Sequence, residues 1–370
     1  MVKIVEKVFS KVMQKTSAYS NNVRAIVDQL VEGVNVSRED IVYLLTYISN
    51  DDAVYLFEKA NEIKTRFYQN RVFLRALIEI SNYCTRECYY CGISGLVSRN
   101  DRFRMDRSTL MSSIDQAAFK GYQTFVIQGG EDPFFTTDLL VEYIKTIKDK
   151  YPTHRITLSL GEKTYQEYQR LFDAGVDRYL LRHESASKKL YNEIHGPSMI
   201  FEKRRSCLFD LKRIGYQVGA GFMVGLPNQT ADDLASDLLF LKELEPEMVG
   251  IGPYIVHDKT LMKNASSGGY LETTIMVALA RLILPKALIP ATTALGVLEP
   301  LGREKALLRG ANVLMPNVSP KDNLVKYEIY KNKTYAKDQT LDELGVRVGE
   351  MGLTLDFSQG DVYGWRQQND

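Results

Sequence analysis

An alternation of strand-like and helix-like segments predicts an α/β protein built as a (β/α)8 TIM barrel. Three observations carry that expectation. Eight short apolar, β-branched runs recur at residues 72–81, 124–128, 155–160, 178–183, 217–224, 248–254, 289–294 and 312–316. Amphipathic helical stretches such as TTDLLVEYIKTIKDK and TADDLASDLLFLKELE lie between them. Polar residues gather at the ends of six of these runs, where barrel enzymes keep their active sites. An open, doubly wound sheet is the alternative that the same alternation allows.

In chain order, residues 1–70 read as a helical lead-in. MVKIVEKVFSKVMQK is a basic amphipathic stretch, expected to be a surface helix. It has no continuous apolar stretch of the kind a secretory signal needs. Ser37 with Asp40, and Ser49 after it, are helix-start signals. The barrel is expected over 71–334, with Thr230 and Asp233 in capping-box spacing before one of its helices. Residues 335–370, with Trp365, are expected to form a helix and loop covering the barrel.

Composition narrows the function. The chain is 45% hydrophobic and 25% charged, enough for a large core. Lys+Arg 47 against Asp+Glu 46 leaves +1, which argues against a broad polyanion-binding face and so against a nucleic-acid partner. No apolar run reaches the roughly 18 residues of a membrane span. A cytoplasmic protein is expected.

Of four cysteines, three lie close together: Cys84, Cys88 and Cys91 in CTRECYYC. A tight thiol group in a large chain points to a metal or cluster site, not to a disulfide framework. Three thiolates can hold three irons of a 4Fe–4S cluster, leaving the fourth iron open to an external chelating ligand. Structural zinc is the rival, but it wants four ligands, and His154, His183, His195 and His257 are all distant in sequence. Cys207, in a helix-like stretch with Leu211 and Ile214, reads as a core residue.

The C-x3-C-x2-C spacing, with Tyr90 before the last cysteine, resembles the radical S-adenosylmethionine (SAM) superfamily. IEISNYC, CYYCGI, QGGEDP, TLSLGE, DRYLLRHE, GAGFMVGLPNQT, MVGIGPYI, PATTA and GANVLMPN resemble the HydE family of FeFe-hydrogenase maturases, in consistent order from about residue 60 to 330. The PylB methylornithine synthases are relatives with different chemistry. Biotin synthase is more distant, and its second cluster would need further cysteines and an arginine.

The resemblance implies one 4Fe–4S cluster on Cys84, Cys88 and Cys91, with SAM as the second cofactor. SAM is bound at the open iron and cleaved homolytically to a 5′-deoxyadenosyl radical. Tyr90 is expected near the adenine. Gln128, Gly129, Gly130 and Glu131 are expected to form the turn that receives SAM's amino group, the glycines allowing close approach. Ser159, Glu184 and Arg204 match further SAM contacts. Arg204 lies in FEKRRSC, where the family has FENR, so Lys203 replaces an Asn and Arg205 is a neighbouring candidate. Thr157, Arg182, Thr292 and Thr293 match residues of the inner cavity. Simpler readings stand beside these: a buried Arg182–Glu184 ion pair, a plain turn at 128–131, strand packing for Thr292 and Thr293, and helix capping by Glu162. Tyr327 and Tyr330 either close the cavity or pack on the surface.

By the same resemblance, the substrate is a small organometallic molecule, a cysteine–Fe(CO)2(CN) complex supplied by HydG, with onward transfer towards HydF. Electrons come from a donor such as ferredoxin or flavodoxin. Rival readings are a PylB-like mutase needing a carboxylate- and ammonium-binding pair deep in the barrel, a HydE homologue with another thiol substrate, and a non-catalytic cluster carrier. Some HydE proteins hold a second cluster on C-terminal cysteines. None follows Cys207 here, so a single cluster is expected.

Overall fold

A computed structural model describes residues 19–333 and 340–365. The amphipathic stretch at the N-terminus lies outside the described residues. Strands form at Arg71–Leu74 (β1), Ala76–Ser81 (β2), Thr124–Gly129 (β3), Arg155–Ser159 (β4), Arg178–Leu180 (β5), Gln217–Ala220 (β6), Met223–Val224 (β7), Met248–Val249 (β8), Gly252–Pro253 (β9), Val313–Leu314 (β10) and Thr354–Asp356 (β11). The order β2-β3-β4-β5-β6-β8 runs parallel throughout. Parallel bridges Met248–Leu288, Pro290–Val313 and Leu77–Asn317 then carry the circuit back to β2. The eight runs read from the sequence are the eight staves of this closed barrel. The fifth and sixth are each interrupted and resume as the β7–β9 pair.

Strand alternation sorts the side chains. Ile78, Ile127, Leu158, Tyr179 and Val218 stand in register and belong to the main core, packed under the helices. Their neighbours point inward. Glu79, Gln128 and Ser159 form one layer; Leu77, Val126 and Thr157 form the layer below.

The expected caps form. Ser37–Asp40, Ser49–Asp52 and Thr230–Asp233 are all reciprocal capping boxes, opening the helices Arg38–Tyr47, Asn50–Tyr68 and Ala231–Leu244. The lead-in helices pack on the outside: Arg38–Tyr47 lies against Ala231–Leu244, and Asn50–Tyr68 against Tyr270–Ile283. Cys207 is buried in the core.

After the helix Leu341–Glu350, β11 pairs with β1 and the chain crosses the N-terminal end of the barrel. Its anchor is Asp361. The carboxylate meets Arg178 at 2.7 Å and Arg155 at 2.8 Å, and accepts from Gln217 Nε2 at 2.7 Å. These are the first residues of β5, β4 and β6. The Gln359 carbonyl accepts from Thr124 Oγ1 at 2.8 Å, at the start of β3. Burial opposes ionisation of Asp361, but Arg178, Arg155 and Gln217 together hold its carboxyl down to about 2.

This contact has a pH signature. The folded pKa lies below the unfolded value of about 3.9, so the stabilisation is present above pH 4 and fades as pH falls towards 2. Asp361→Asn is expected to lose roughly 3 kcal/mol at pH 7, because Arg178 is left buried without its partner. Urea unfolding at pH 7 and at pH 3 should show the gap from wild type narrowing in acid; a constant gap would refute this role.

Candidate active site

Beyond β2 the chain loops over the C-terminal end of the barrel and carries the three cysteines. Backbone bonds fix this loop to its surroundings: Thr85 N to Glu131 O at 3.0 Å, Tyr89 N to Ile194 O at 3.0 Å and Gly92 N to Ile329 O at 2.9 Å. Two glycines are required by close approach. A Cβ at Gly130 would stand 2.0 Å from the Tyr83 carbonyl oxygen, and one at Gly92 would stand 2.3 Å from that of Glu328. The space at Gly130 is therefore filled by the cysteine loop itself, not kept for a ligand.

Cys84, Cys88 and Cys91 line one end of a cavity of about 330 Å3 that runs into the barrel. Burial is the main cause raising all three thiols, reinforced at Cys88 and Cys91 by charge on neighbouring thiols; Cys91 is pushed up to about 12. Backbone amides of Arg86 and Glu131 lie 3.4 Å from Cys84 Sγ as donors.

Beside the thiols is a charge network. Arg86 meets Glu131 at 2.6 Å and Glu162 at 3.2 Å; Arg204 meets Glu162 at 2.9 Å and Glu131 at 3.9 Å. Arg204 lines the cavity. Arg205 points away, pairing with Glu243 and stacking on Phe240, which decides between the two neighbours. Glu162 is not a helix cap; Thr164 and Glu167 cap the next helix. The Arg204–Glu162 contact is close but misses hydrogen-bond geometry, leaving Arg204 Nε and Glu162 Oε1 unsatisfied.

Tyr90 lines the cavity, and its hydroxyl is engaged by His195 Nε2 at 3.3 Å. His195 Nδ1 lies 2.8 Å from the Tyr191 carbonyl, which can only accept. Nδ1 therefore carries the proton and Nε2 accepts from Tyr90. Burial pushes His195 down to about 3, so it stays neutral.

Arg182 and Glu184 both line the cavity and lie 3.1 Å apart, while His183 turns outward to Asp237. The ion-pair reading is thus right as far as it goes. Yet Arg182 Nε and Nη2 and Glu184 Oε2 make no hydrogen bond among the described residues, and Glu184 holds a left-handed φ of 66°. Strained backbone and unsatisfied charge at one point are the marks of a ligand site. Gln128, Gly129, Gly130, Glu131, Ser159, Thr292 and Thr293 line the same cavity. Thr157 does not. It sits in the layer below Ser159, buried, with an unpartnered hydroxyl. Thr292 and Thr293 are not strand residues: Thr292 precedes the helix Thr293–Leu298 without capping it, and its hydroxyl is also unpartnered.

The radical SAM superfamily model matches residues 78–241. The FeFe-hydrogenase maturase subunit HydE of Thermotoga maritima is 45% identical over 278 residues, covering 75% of this chain and 79% of that protein. The chain belongs to the radical SAM superfamily. The crystal structure of the methylornithine synthase PylB superposes with a TM-score of 0.79 at 22% identity, covering 90% of this chain and 97% of that one. That of HydG, a maturase of the FeFe-hydrogenase, gives 0.79 at 18%, covering 97% and 81%. These two bear on the fold alone.

As a radical SAM protein the chain is a SAM-dependent enzyme with a 4Fe–4S cluster. Its thiols fit that cofactor. No three Cys, His, Asp or Glu among the described residues gather tightly enough for a single ion. Three thiols spread round one cavity end suit a cubane, in which each binds a different iron. Their raised pKa values mean that a bare thiolate trio is unfavourable and needs cationic irons beside it. No helix among the described residues is long and apolar enough to cross a membrane.

Four lining residues were missed in the sequence or left open there. Arg86 lies between two of the cysteines, and that position was a usable signal. Tyr327 and Tyr330, left between two readings, close the cavity from a strap at 326–333. Lys333, on the same strap, gave no signal at all; its partner Glu79 did, as a carboxylate inside an apolar strand.

Anaerobic reconstitution is expected to give about four irons and four sulfides per chain. Cys84→Ala, Cys88→Ala or Cys91→Ala should each lose the cluster's absorption, and Cys207→Ala should keep it. A full cluster in Cys88→Ala would refute the assignment.

Proposed function

We propose that this radical SAM enzyme is a maturase of the HydE type, acting on a cysteine-bound iron–carbonyl–cyanide complex inside the barrel. Cys84, Cys88 and Cys91 hold the cluster. Tyr90, the turn Gln128–Glu131, Ser159, Glu184 and Arg204 hold SAM, and Arg182, Thr292 and Thr293 face the substrate. Thr157 backs that pocket from the layer below.

The observation that carries this reading is the half-satisfied Arg182 next to Glu184. A buried guanidinium is costly unless a partner neutralises it. Glu184 would take SAM's ammonium, which would leave Arg182 to face the inner cavity, where an anion would complete its hydrogen bonds. The Thr292 hydroxyl adds a neutral donor at the same end. With SAM bound, the cluster supplies an electron for its homolytic cleavage; the chain's own part is to hold the two ligands in contact and keep water away. Tyr90 offers its ring to the ligand, since His195 already occupies its hydroxyl. The 45% identity to a HydE supports supply of the substrate by HydG, onward transfer to HydF, an external electron donor and a cytoplasmic setting.

One observation favours a second reading, an amino-acid mutase of the PylB type. Glu79 and Lys333 form the deep carboxylate–ammonium pair that such an enzyme would need.

Arg182→Met should keep its cluster and bind SAM, while product formation from the cysteine–iron complex falls about 100-fold or more, the range for losing one preorganised donor. Product analysis decides between the readings. An adenosylated cysteine–iron species supports the maturase; rearranged L-lysine establishes the mutase; loss of SAM binding in Arg182→Met overturns the division of the cavity.

A further inference from the structure

The strap 326–333 follows the last stave and is tied down on both sides. Asn82 Nδ2 donates to Lys326 O at 2.9 Å, Gly92 N to Ile329 O at 2.9 Å, and Lys331 N to Val256 O at 3.2 Å. Its end brings Lys333 against the barrel interior. The ammonium donates to Glu79 Oε1 at 2.5 Å and sits 4.9 Å from the centre of the Tyr327 ring. Lys333 is 9% exposed and lines the cavity; Glu79 is fully buried behind it and also receives Gln128 Nε2 at 3.4 Å.

Stability does not explain this pair. Replacing a buried ion pair by apolar groups of similar volume is commonly neutral or stabilising, and ordering a lysine costs rotamer entropy. Two of the three ammonium N–H groups have no partner among the described residues. Of the four cations that line the cavity, Arg86 and Arg204 are committed to Glu131 and Glu162 beside the thiols. Arg182 and Lys333 remain for the interior. Tyr330 lines the same cavity, its hydroxyl within the field of both Glu79 and Arg182.

We infer that Lys333 is a substrate-binding residue: its ammonium, held in place by Glu79, takes a carboxylate of an amino-acid-derived substrate whose other end reaches Arg182. Glu79 and Gln128 are positioning residues. The geometry favours a carboxylate because a lysine ammonium is a compact, strongly hydrated point charge that gains most from a full anionic oxygen. This rests on the reading of the cavity as a substrate site, and it specifies one end of the substrate under either the maturase or the mutase alternative.

The test is equilibrium binding to the reconstituted protein in the presence of SAM, with two pairs of probes: L-cysteine beside cysteamine, and L-lysine beside 1,5-diaminopentane. Each second member lacks only the carboxylate. Wild type is expected to prefer the carboxylate member of one pair by about tenfold or more. Lys333→Met/Glu79→Gln should abolish that preference, and Lys333→Arg should keep part of it. The double variant removes both charges of the pair together; Lys333→Gln/Glu79→Gln is the alternative should it fail to hold its cluster. A preference confined to the lysine pair upholds the subsite and counts against the maturase. No preference in wild type, or one that survives in the double variants, overturns the subsite and makes Lys333 a latch for the strap, while the maturase reading still stands or falls on turnover of the cysteine–iron complex.

Discussion

Closure of a parallel barrel is the constraint from which the rest of this structure follows. Parallel pairing puts every strand's C-terminal end on one rim, and a closed circuit leaves no edge at which a side chain can escape the alternation of inside and outside. A residue's index along its strand thus decides whether it packs under a helix or enters the interior. Tyr179 and Leu180 show the rule at its sharpest: adjacent in β5, one packs in the outer core and the other lines the cavity.

The two ends of the barrel treat charge differently. At the N-terminal end, Arg155 and Arg178 are matched by a carboxylate delivered from the tail, although Arg178 Nε finds no hydrogen bond among the described residues. At the C-terminal end the accounts stay open: guanidinium, carboxylate and hydroxyl groups are buried in contact yet keep atoms without hydrogen bonds. Such groups are expensive to fold around and become favourable once a ligand supplies what is missing.

Much of this was legible in the sequence, for a physical reason. The cysteine trio lies on one local loop, and the staves are short apolar runs, so both are recorded in contiguous residues. Strand parity predicts Arg182 and Glu184 on the same side; both do line the cavity, but they lie beyond the end of β5, and Glu184 has a left-handed backbone that no strand has. What stayed hidden depends on residues brought together only by folding. Asp361 reaches three strand starts from far down the chain, and Lys333 meets Glu79 across most of its length. The family resemblance groups Thr157 with the cavity, but a match gives no depth; register across β3 and β4 sets that, one layer below Ser159. Thr292 and Thr293 were mistaken for strand because β-branched residues mark strands, whereas here the chain turns into a helix immediately after the bridge at Pro290.

The contact at Gly92 ties the history of two distant segments together. The strap's backbone at Glu328 occupies the volume that any side chain at position 92 would need, and the His257 ring closes it from another side. A lineage that gained even a methyl group there would have to reshape the strap in the same step, and with it the groups the strap carries into the interior. The cysteine loop and the strap that carries Lys333 are thus not free to diverge separately. A family built on this contact can exchange strap side chains most readily while the path of the strap's backbone stays as it is.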